Sequence, residues 1–254
     1  MINIDKKVFG LHFDMLTERG VASMVLSTVC KPDDGVQLVV TPNIQHISLL
    51  EKNEDFRRAY ASARIVTCDG FPLYYYARMR RVPIIGRVTG RGIVEALLAD
   101  PARLASQRLF LVVPDQETQN AVVSWAGRNG LTHAVRTIIP SCGFVDNDAE
   151  CRQLAHEITQ FAPTILLLCV GAPQSEVFVG RYRALLPACW ALCIGQGVKV
   201  ALGLVRGAPR WVQAANLEWL WRILQEPRRL AWRYAVSAAG FLRAMCKDIA
   251  QGRT

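Results

Sequence analysis

The sequence predicts an α/β protein: a Rossmann-like, doubly wound, mostly parallel sheet, followed by a basic, tryptophan-rich helical appendage. Three observations predict it. Short apolar runs rich in β-branched residues alternate with amphipathic stretches over residues 1–205. The run Thr164–Val170 is almost continuously apolar, as a central parallel strand covered on both faces must be. Polar or glycine-bearing segments follow four of these runs, and in an open parallel sheet the carboxyl ends of the strands gather such segments on one edge.

Taken in order, residues 8–13 read as a short strand and residues 14–29 as an amphipathic helix. The cluster Lys31-Pro32-Asp33-Asp34-Gly35 is a turn. A strand over 36–40 ends at Thr41-Pro42-Asn43, and a helix over about 45–62 turns Ile47, Leu50, Phe56 and Tyr60 inward. The strand 63–68 ends at Asp69-Gly70, and a helical run starts near Pro72. Tyr74, Tyr75 and Tyr76 point about 100° apart on that helix, so they cannot form one stacking platform. Arg78, Arg80 and Arg81 fit a solvated face. The rhythm continues with strands over 108–113 and 134–139, a helix from Pro114-Asp115 to Arg128, and Asn147-x-x-Glu150 as a capping box. Strand 164–170 leads through Gly171-Ala172-Pro173 into a helix over 175–186. Strand 190–194 closes on Gly195-Gln196-Gly197.

Composition narrows the function classes. Charged residues make up 20% and hydrophobic ones 51% of the 254 residues, which fits a globular chain with a sizeable core. Uncharged apolar stretches fall short of the roughly 18–20 residues a membrane span needs. The segment Met1–Lys7 lacks an apolar signal core, so a cytoplasmic location is expected. Eight cysteines without a CxxC pair read as reduced, mostly buried thiols. The four histidines form no metal set. Net charge is +9. Residues 206–254 carry nine arginines and lysines against three acids, implying an anionic partner. No nucleic-acid-binding motif accompanies that charge.

Asp69 is the residue around which the reading turns. A carboxylate at a strand's carboxyl end, beside a glycine that admits close approach, marks a ligand site; the same Asp also serves as a plain helix cap. Thr41-Pro42-Asn43, Asp69-Gly70 and Arg87-Val88-Thr89-Gly90 occur in the order found in the WecG/TagA/CpsF glycosyltransferases (glycosyltransferase family 26), which the chain resembles. Gly171-Ala172-Pro173-Gln174-Ser175-Glu176 is similar to that family's Gly-x-Pro-x-Gln-Glu segment. The stretch from Ala208-Pro209-Arg210-Trp211 to Gln225-Glu226-Pro227-Arg228-Arg229 is similar to its C-terminal signature.

The resemblance implies an inverting, metal-independent transfer of a hexose or N-acetylhexosamine from a UDP-sugar to an undecaprenyl-diphosphate-linked sugar, in bacterial cell-surface polysaccharide synthesis. It implies Asp69 as the base, with Thr41, Asn43 and Arg87 positioning substrates; Thr89-Gly90, at a helix start, is expected to present backbone N–H groups to a phosphate. Gly171, Pro173, Glu176, Gly195 and Gln196 are expected to line the same edge, and Arg206, Arg210 and Arg222 to reach the diphosphates. No cofactor and no metal is expected. Asp146-Asn147-Asp148 has the form of a DxD motif, but three polar residues heading a helix read more simply as caps. The chain departs from the family at Ser175 for Gln, at Gly92 for an acid, and at Lys199 for a carboxylate. These positions surround the expected sugar pocket and leave the donor sugar open.

Residues 1–205 are therefore expected to form the catalytic core and 206–254 an appendage. Four of the six tryptophans (211, 219, 221 and 232) lie in that tail. Trp with Arg on short amphipathic helices suits peripheral attachment to the inner face of an anionic membrane; two helices packed back on the core are the plainer reading. A homo-oligomer is compatible with the sequence. The competing function class is a catalytically silent membrane-surface binding protein on the same fold, against which the retained Asp69 argues.

Overall fold

A computed structural model describes residues 6–205, 209, 212, 220, 221, 224 and 227–251. Its strands are β1 (Gln37–Val40), β2 (Ala63–Val66), β3 (Leu109–Val112), β4 (Val135–Ile138), β5 (Ile165–Leu168) and β6 (Trp190–Cys193). They form one sheet in the order β2-β1-β6-β5-β3-β4, and each neighbouring pair is parallel. The expected doubly wound α/β architecture is thus present. The side chains of β3, β5 and β6 are buried along their whole length, which explains the unbroken apolar runs.

Helices cover both faces. Against one lie α2 (Ile44–Leu50), α3 (Glu54–Ala61), α4 (Phe71–Met79), α8 (Asp148–Phe161) and α9 (Gln174–Tyr182), meeting Leu38, Val40, Phe110, Leu166 and Ala191. Against the other lie α1 (Glu18–Ser27), α5 (Gly90–Leu98), α6 (Pro101–Leu104), α7 (Gln116–Arg128) and α10 (Gly197–Ala201), meeting Val39, Ile65, Leu111, Leu167 and Leu192. The crossovers β1→β2, β4→β5 and β5→β6 run one way along the sheet over the first face; β3→β4 runs the other way over the second. A single handedness of crossover requires that arrangement.

Several expectations shift at their edges. Residues 8–13 do not join the sheet. Val8 and Leu11 form an isolated antiparallel bridge around Phe9 and Gly10, both at positive φ. Asp14 instead closes the outer edge of β2, its N–H donating to the Val66 carbonyl and its carboxylate accepting from the Val66 N–H, each at 2.8 Å. The helix expected over 45–62 is two, because Asn53 caps a fresh start by accepting from the Phe56 N–H. Ile47, Leu50, Phe56 and Tyr60 are all buried, as their spacing requires. Asn147 caps α8, but the reciprocal half of the box is absent: the Glu150 carboxylate accepts from Ser141 instead.

The last helix, α11 (Pro227–Gln251), packs on α2. Phe241 and Ala244 enter the same core cluster as Ile47 and Leu50. Phe241 meets the rings of Phe9 and Tyr76, and Asp248 accepts from the Phe9 N–H and the Tyr76 hydroxyl at 2.7 and 2.6 Å. No described helix is long and apolar enough to cross a membrane. Arg206, Arg210, Arg222, Trp211 and Trp219 lie outside the described residues.

Candidate active site at the carboxyl edge of the sheet

The segments following β1, β2, β5 and β6 meet at one edge, and backbone contacts fix them there. The Thr67 N–H donates to the Val40 carbonyl and the Asp69 N–H to the Pro42 carbonyl, at 3.1 and 2.9 Å. Gly70 has φ +84°, and a Cβ there would stand 3.3 Å from the Asn43 Cβ; a side chain would both strain the turn and press on Asn43. On the other side the Val88 N–H donates to the Cys68 carbonyl at 2.8 Å. Backbone contacts therefore hold Asp69 between the Thr41–Asn43 loop and the Arg87–Gly90 loop.

The second join is equally close. A Cβ at Gly197 would stand 2.9 Å from the Arg91 nitrogen, and one at Gly90 3.1 Å from the Ile194 backbone. These glycines let the start of α5 lie directly on the loop after β6. Gly195 in turn approaches Gly171, its Cβ position 3.9 Å from the Gly171 Cα. Thr41, Asn43, Asp69, Arg87, Thr89, Gly171, Pro173, Gly195 and Gln196 thus share one edge.

Several of these side chains already have work within the fold. Asn43 caps α2, its Oδ1 accepting from the N–H groups of Gln45 and His46. Thr89 caps α5, accepting from the Gly92 N–H at 2.9 Å, while its own N–H donates to Glu18 Oε1 at 3.3 Å. The Arg87 guanidinium lies 4.3 Å over the Phe71 ring, beside Asp69-Gly70. Gln196 precedes α10 and is exposed.

Glu176 lies beneath this edge rather than on it. It is 1% exposed, and its Oε2 has no hydrogen-bond partner among the described residues. Burial pushes its carboxyl up to about 7. Tyr60, whose hydroxyl is 2.6 Å from His46 Nδ1, senses the charges of Glu176, Cys193 and Asp69. Burial raises the Tyr60 phenol and lowers His46 to about 4, so both rings are neutral near pH 7. The folded state retains the Glu176 proton where the unfolded chain has lost it, so this carboxyl destabilises the fold progressively from about pH 4.5 to about pH 7. Glu176→Gln is expected to match wild type at pH 4 and to gain up to about 3 kcal/mol by pH 8. Urea midpoints measured across that range would show it; a pH-independent difference would contradict it.

The three departures from the family pattern each have a local partner. A Cβ at Gly92 would stand 2.7 Å from Glu18 Cγ, so a carboxylate from α1 occupies the space of a side chain at 92. Ser175 is buried, and its hydroxyl donates to the Gly171 carbonyl at 3.2 Å. Lys199 Nζ pairs with Asp115 Oδ2 at 2.5 Å, linking the segments that follow β6 and β3, the two neighbours of β5. Burial alone would raise Asp115, but hydrogen bonds from Lys199 and Thr118 bring it down to about 2. Glu18, Asp115, His46 and Tyr60 were not singled out as site residues from the sequence, because each comes from a distant element and belongs to no local motif.

Among the described residues, no group of three or more His, Cys, Asp or Glu side chains could hold a metal ion. In the DxD-like stretch, Asn147 caps α8, and Asp148 accepts from Arg152 and the Tyr182 hydroxyl, each at 2.7 Å. A cavity of about 730 Å³ along the outer edge of β2, lined by His12, Asp14, Arg57 and Arg64, contains none of the expected site residues.

Comparison with known proteins decides the family. The model of the WecG/TagA/CpsF glycosyl transferase family matches residues 6–254. The chain belongs to that family. It is 25% identical over 210 residues, covering 82% of this chain and 78% of the relative, to an N-acetylglucosaminyldiphosphoundecaprenol N-acetyl-beta-D-mannosaminyltransferase of Bacillus subtilis. The equivalent protein of Bacillus spizizenii is 25% identical over 209 residues, 82% of this chain and 78% of the relative. A Staphylococcus aureus relative of the same name is 18% identical over 227 residues, 88% of this chain and 85% of the relative. The parallel sheet is accordingly that of a glycosyltransferase.

Proposed function

We propose that this glycosyltransferase moves a hexose or N-acetylhexosamine from a UDP-sugar to an undecaprenyl-diphosphate-linked sugar, with inversion and without a metal. The observation that carries the reading is the backbone-fixed convergence of Thr41–Asn43, Asp69-Gly70, Arg87–Gly90 and Gly195–Gly197 on one sheet edge. The names of the relatives support the acceptor, since each of those proteins is named for a diphosphoundecaprenol-linked N-acetylglucosamine.

In this reading Asp69 accepts the proton of the acceptor hydroxyl as its oxygen attacks the anomeric carbon from the face opposite the departing UDP. Negative charge grows on the leaving diphosphate, and cationic groups offset it. Arg87 stands at the edge for that task, and Arg206, Arg210 and Arg222 of the tail are the further candidates. Thr41 and Asn43 orient the sugars. Glu176 supports the edge from below, its buried carboxyl only about half ionised near pH 7. The donor is left between glucose-type and N-acetylhexosamine-type sugars, because Gly92, Ser175 and Lys199 differ from the family pattern. The protein works at the inner face of the plasma membrane, where its acceptor is anchored.

Transfer should proceed at an unchanged rate in excess EDTA, measured as UDP release in the presence of a lipid-linked acceptor. Loss of rate restored by Mg²⁺ or Mn²⁺ would overturn the metal-free mechanism and return attention to Asp146 and Asp148.

A further inference from the structure

A surface beside Asp69 combines apolar exposure with unpaired positive charge. Helix α4 begins at Phe71, two residues after Asp69, and buries Leu73, Tyr76 and Ala77 in the core. Its opposite side leaves Tyr75 58% and Met79 64% exposed, and Ile85 in the following loop is 58% exposed. Arg78 and Arg81 are exposed between them. The Arg78 guanidinium donates to the Tyr74 hydroxyl at 3.1 Å; neither arginine forms an ion pair among the described residues. Arg80, by contrast, turns inward to Asp248 at 3.5 Å. From Gly70 to Val94 the chain holds five arginines and no acidic residue.

We infer that the outer face of α4, together with Ile85, is a membrane-contact surface separate from the C-terminal tail, and that its partner is an anionic bilayer. Tyrosine, methionine and isoleucine suit the boundary between headgroups and acyl chains, and arginine meets anionic lipid at the rim. A helix rises about 1.5 Å per residue, so Tyr75 and Met79 stand about 6 and 12 Å along the axis from Phe71. Seating this face on a bilayer holds the Asp69 loop at headgroup level, where a lipid diphosphate lies. The inference rests on the acceptor reading above, yet vesicle binding tests it without any sugar transfer.

The test uses the full chain and vesicles of phosphatidylethanolamine and phosphatidylglycerol, with phosphatidylcholine vesicles for comparison. Combining Tyr75→Ser, Met79→Ser and Ile85→Ser should weaken partitioning about tenfold, with the melting temperature unchanged. Combining Val29→Ser, Val123→Ser and Leu185→Ser alters three exposed apolar side chains elsewhere (83%, 52% and 45% exposed) and should change nothing. Arg78→Gln and Arg81→Gln should each weaken binding to the phosphatidylglycerol vesicles about fivefold and leave phosphatidylcholine unaffected. Turnover of a water-soluble acceptor analogue should stay at the wild-type level in all of them. Wild-type vesicle binding by the triple variant would overturn the inference and leave attachment to the tail. A vesicle-independent dimer that the triple variant dissociates would also overturn it, assigning the face to a second copy. Should the triple variant lose vesicle binding while even the wild type transfers no sugar, the surface stands and the acceptor reading falls.

Discussion

Asp69→Asn is expected to lower transfer by about 10²–10⁴-fold at saturating donor and acceptor while leaving the fold intact, because an amide cannot take the acceptor's proton. The substitution is nearly isosteric. Three contacts that hold this loop do not use the Asp69 carboxylate: Asp69 N–H to Pro42, Val88 N–H to Cys68, and Gly70 against Asn43. Circular dichroism and the urea midpoint should therefore stay close to wild type, with the loss confined to kcat. Near-normal turnover in the variant would remove Asp69 from the mechanism and leave it as the residue before a helix.

Phe241→Ala should destabilise the protein by about 3–4 kcal/mol. Phe241 is 6% exposed and fills a ring cluster with Phe9 and Tyr76. Its loss opens a cavity under α11, next to the Asp248 bonds that tie α11 to Phe9 and Tyr76. A chain ending at residue 205 would lose Phe241, Ala244 and Asp248 together. Such a truncation is expected to lose stability and transfer at once, so by itself it cannot separate an appendage that completes the site from a helix that completes the core. Trp232 makes the distinction: it is 77% exposed, so Trp232→Ala should spare stability and weaken vesicle binding alone. A fall of several kcal/mol in that variant would contradict the packing described for α11.

Much of the fold was legible in the sequence because the strands of a parallel sheet covered on both faces are apolar throughout. Leu166, Leu167 and Leu168 have no exposed side to encode, so Thr164–Val170 announced itself. The loops at the carboxyl edge were legible for a related reason: glycines and polar residues interrupt those runs where the chain must turn. Less legible was whatever depends on two distant segments. Helix α5 opens with Gly90 and Gly92 and carries a weak helical signal, yet those glycines are what let it lie on Ile194 and beside Glu18. The carboxylate of Glu18 lies at α5 although 71 residues separate it from Thr89. The same holds for Lys199 and Asp115, 84 residues apart. A missing acid at 92 and an added cation at 199 read as altered pocket chemistry along the chain. In three dimensions each also has a local partner, Glu18 at 92 and Asp115 at 199. The separation of α2 from α3 turned on one residue, Asn53, whose side chain outcompetes continuation of the helix.

The central claim is that the edge built around Asp69 transfers a sugar from a UDP-sugar to a lipid-linked diphosphate. It is tested most directly by incubating the purified chain with undecaprenyl-diphosphate-linked N-acetylglucosamine and, in turn, UDP-glucose, UDP-N-acetylhexosamines and UDP-uronates, and reading the mass of the lipid product. The account predicts a lipid heavier by one hexose or N-acetylhexosamine residue with wild type and almost none with Asp69→Asn. An unchanged lipid mass with every donor, or equal product from wild type and Asp69→Asn, would contradict it.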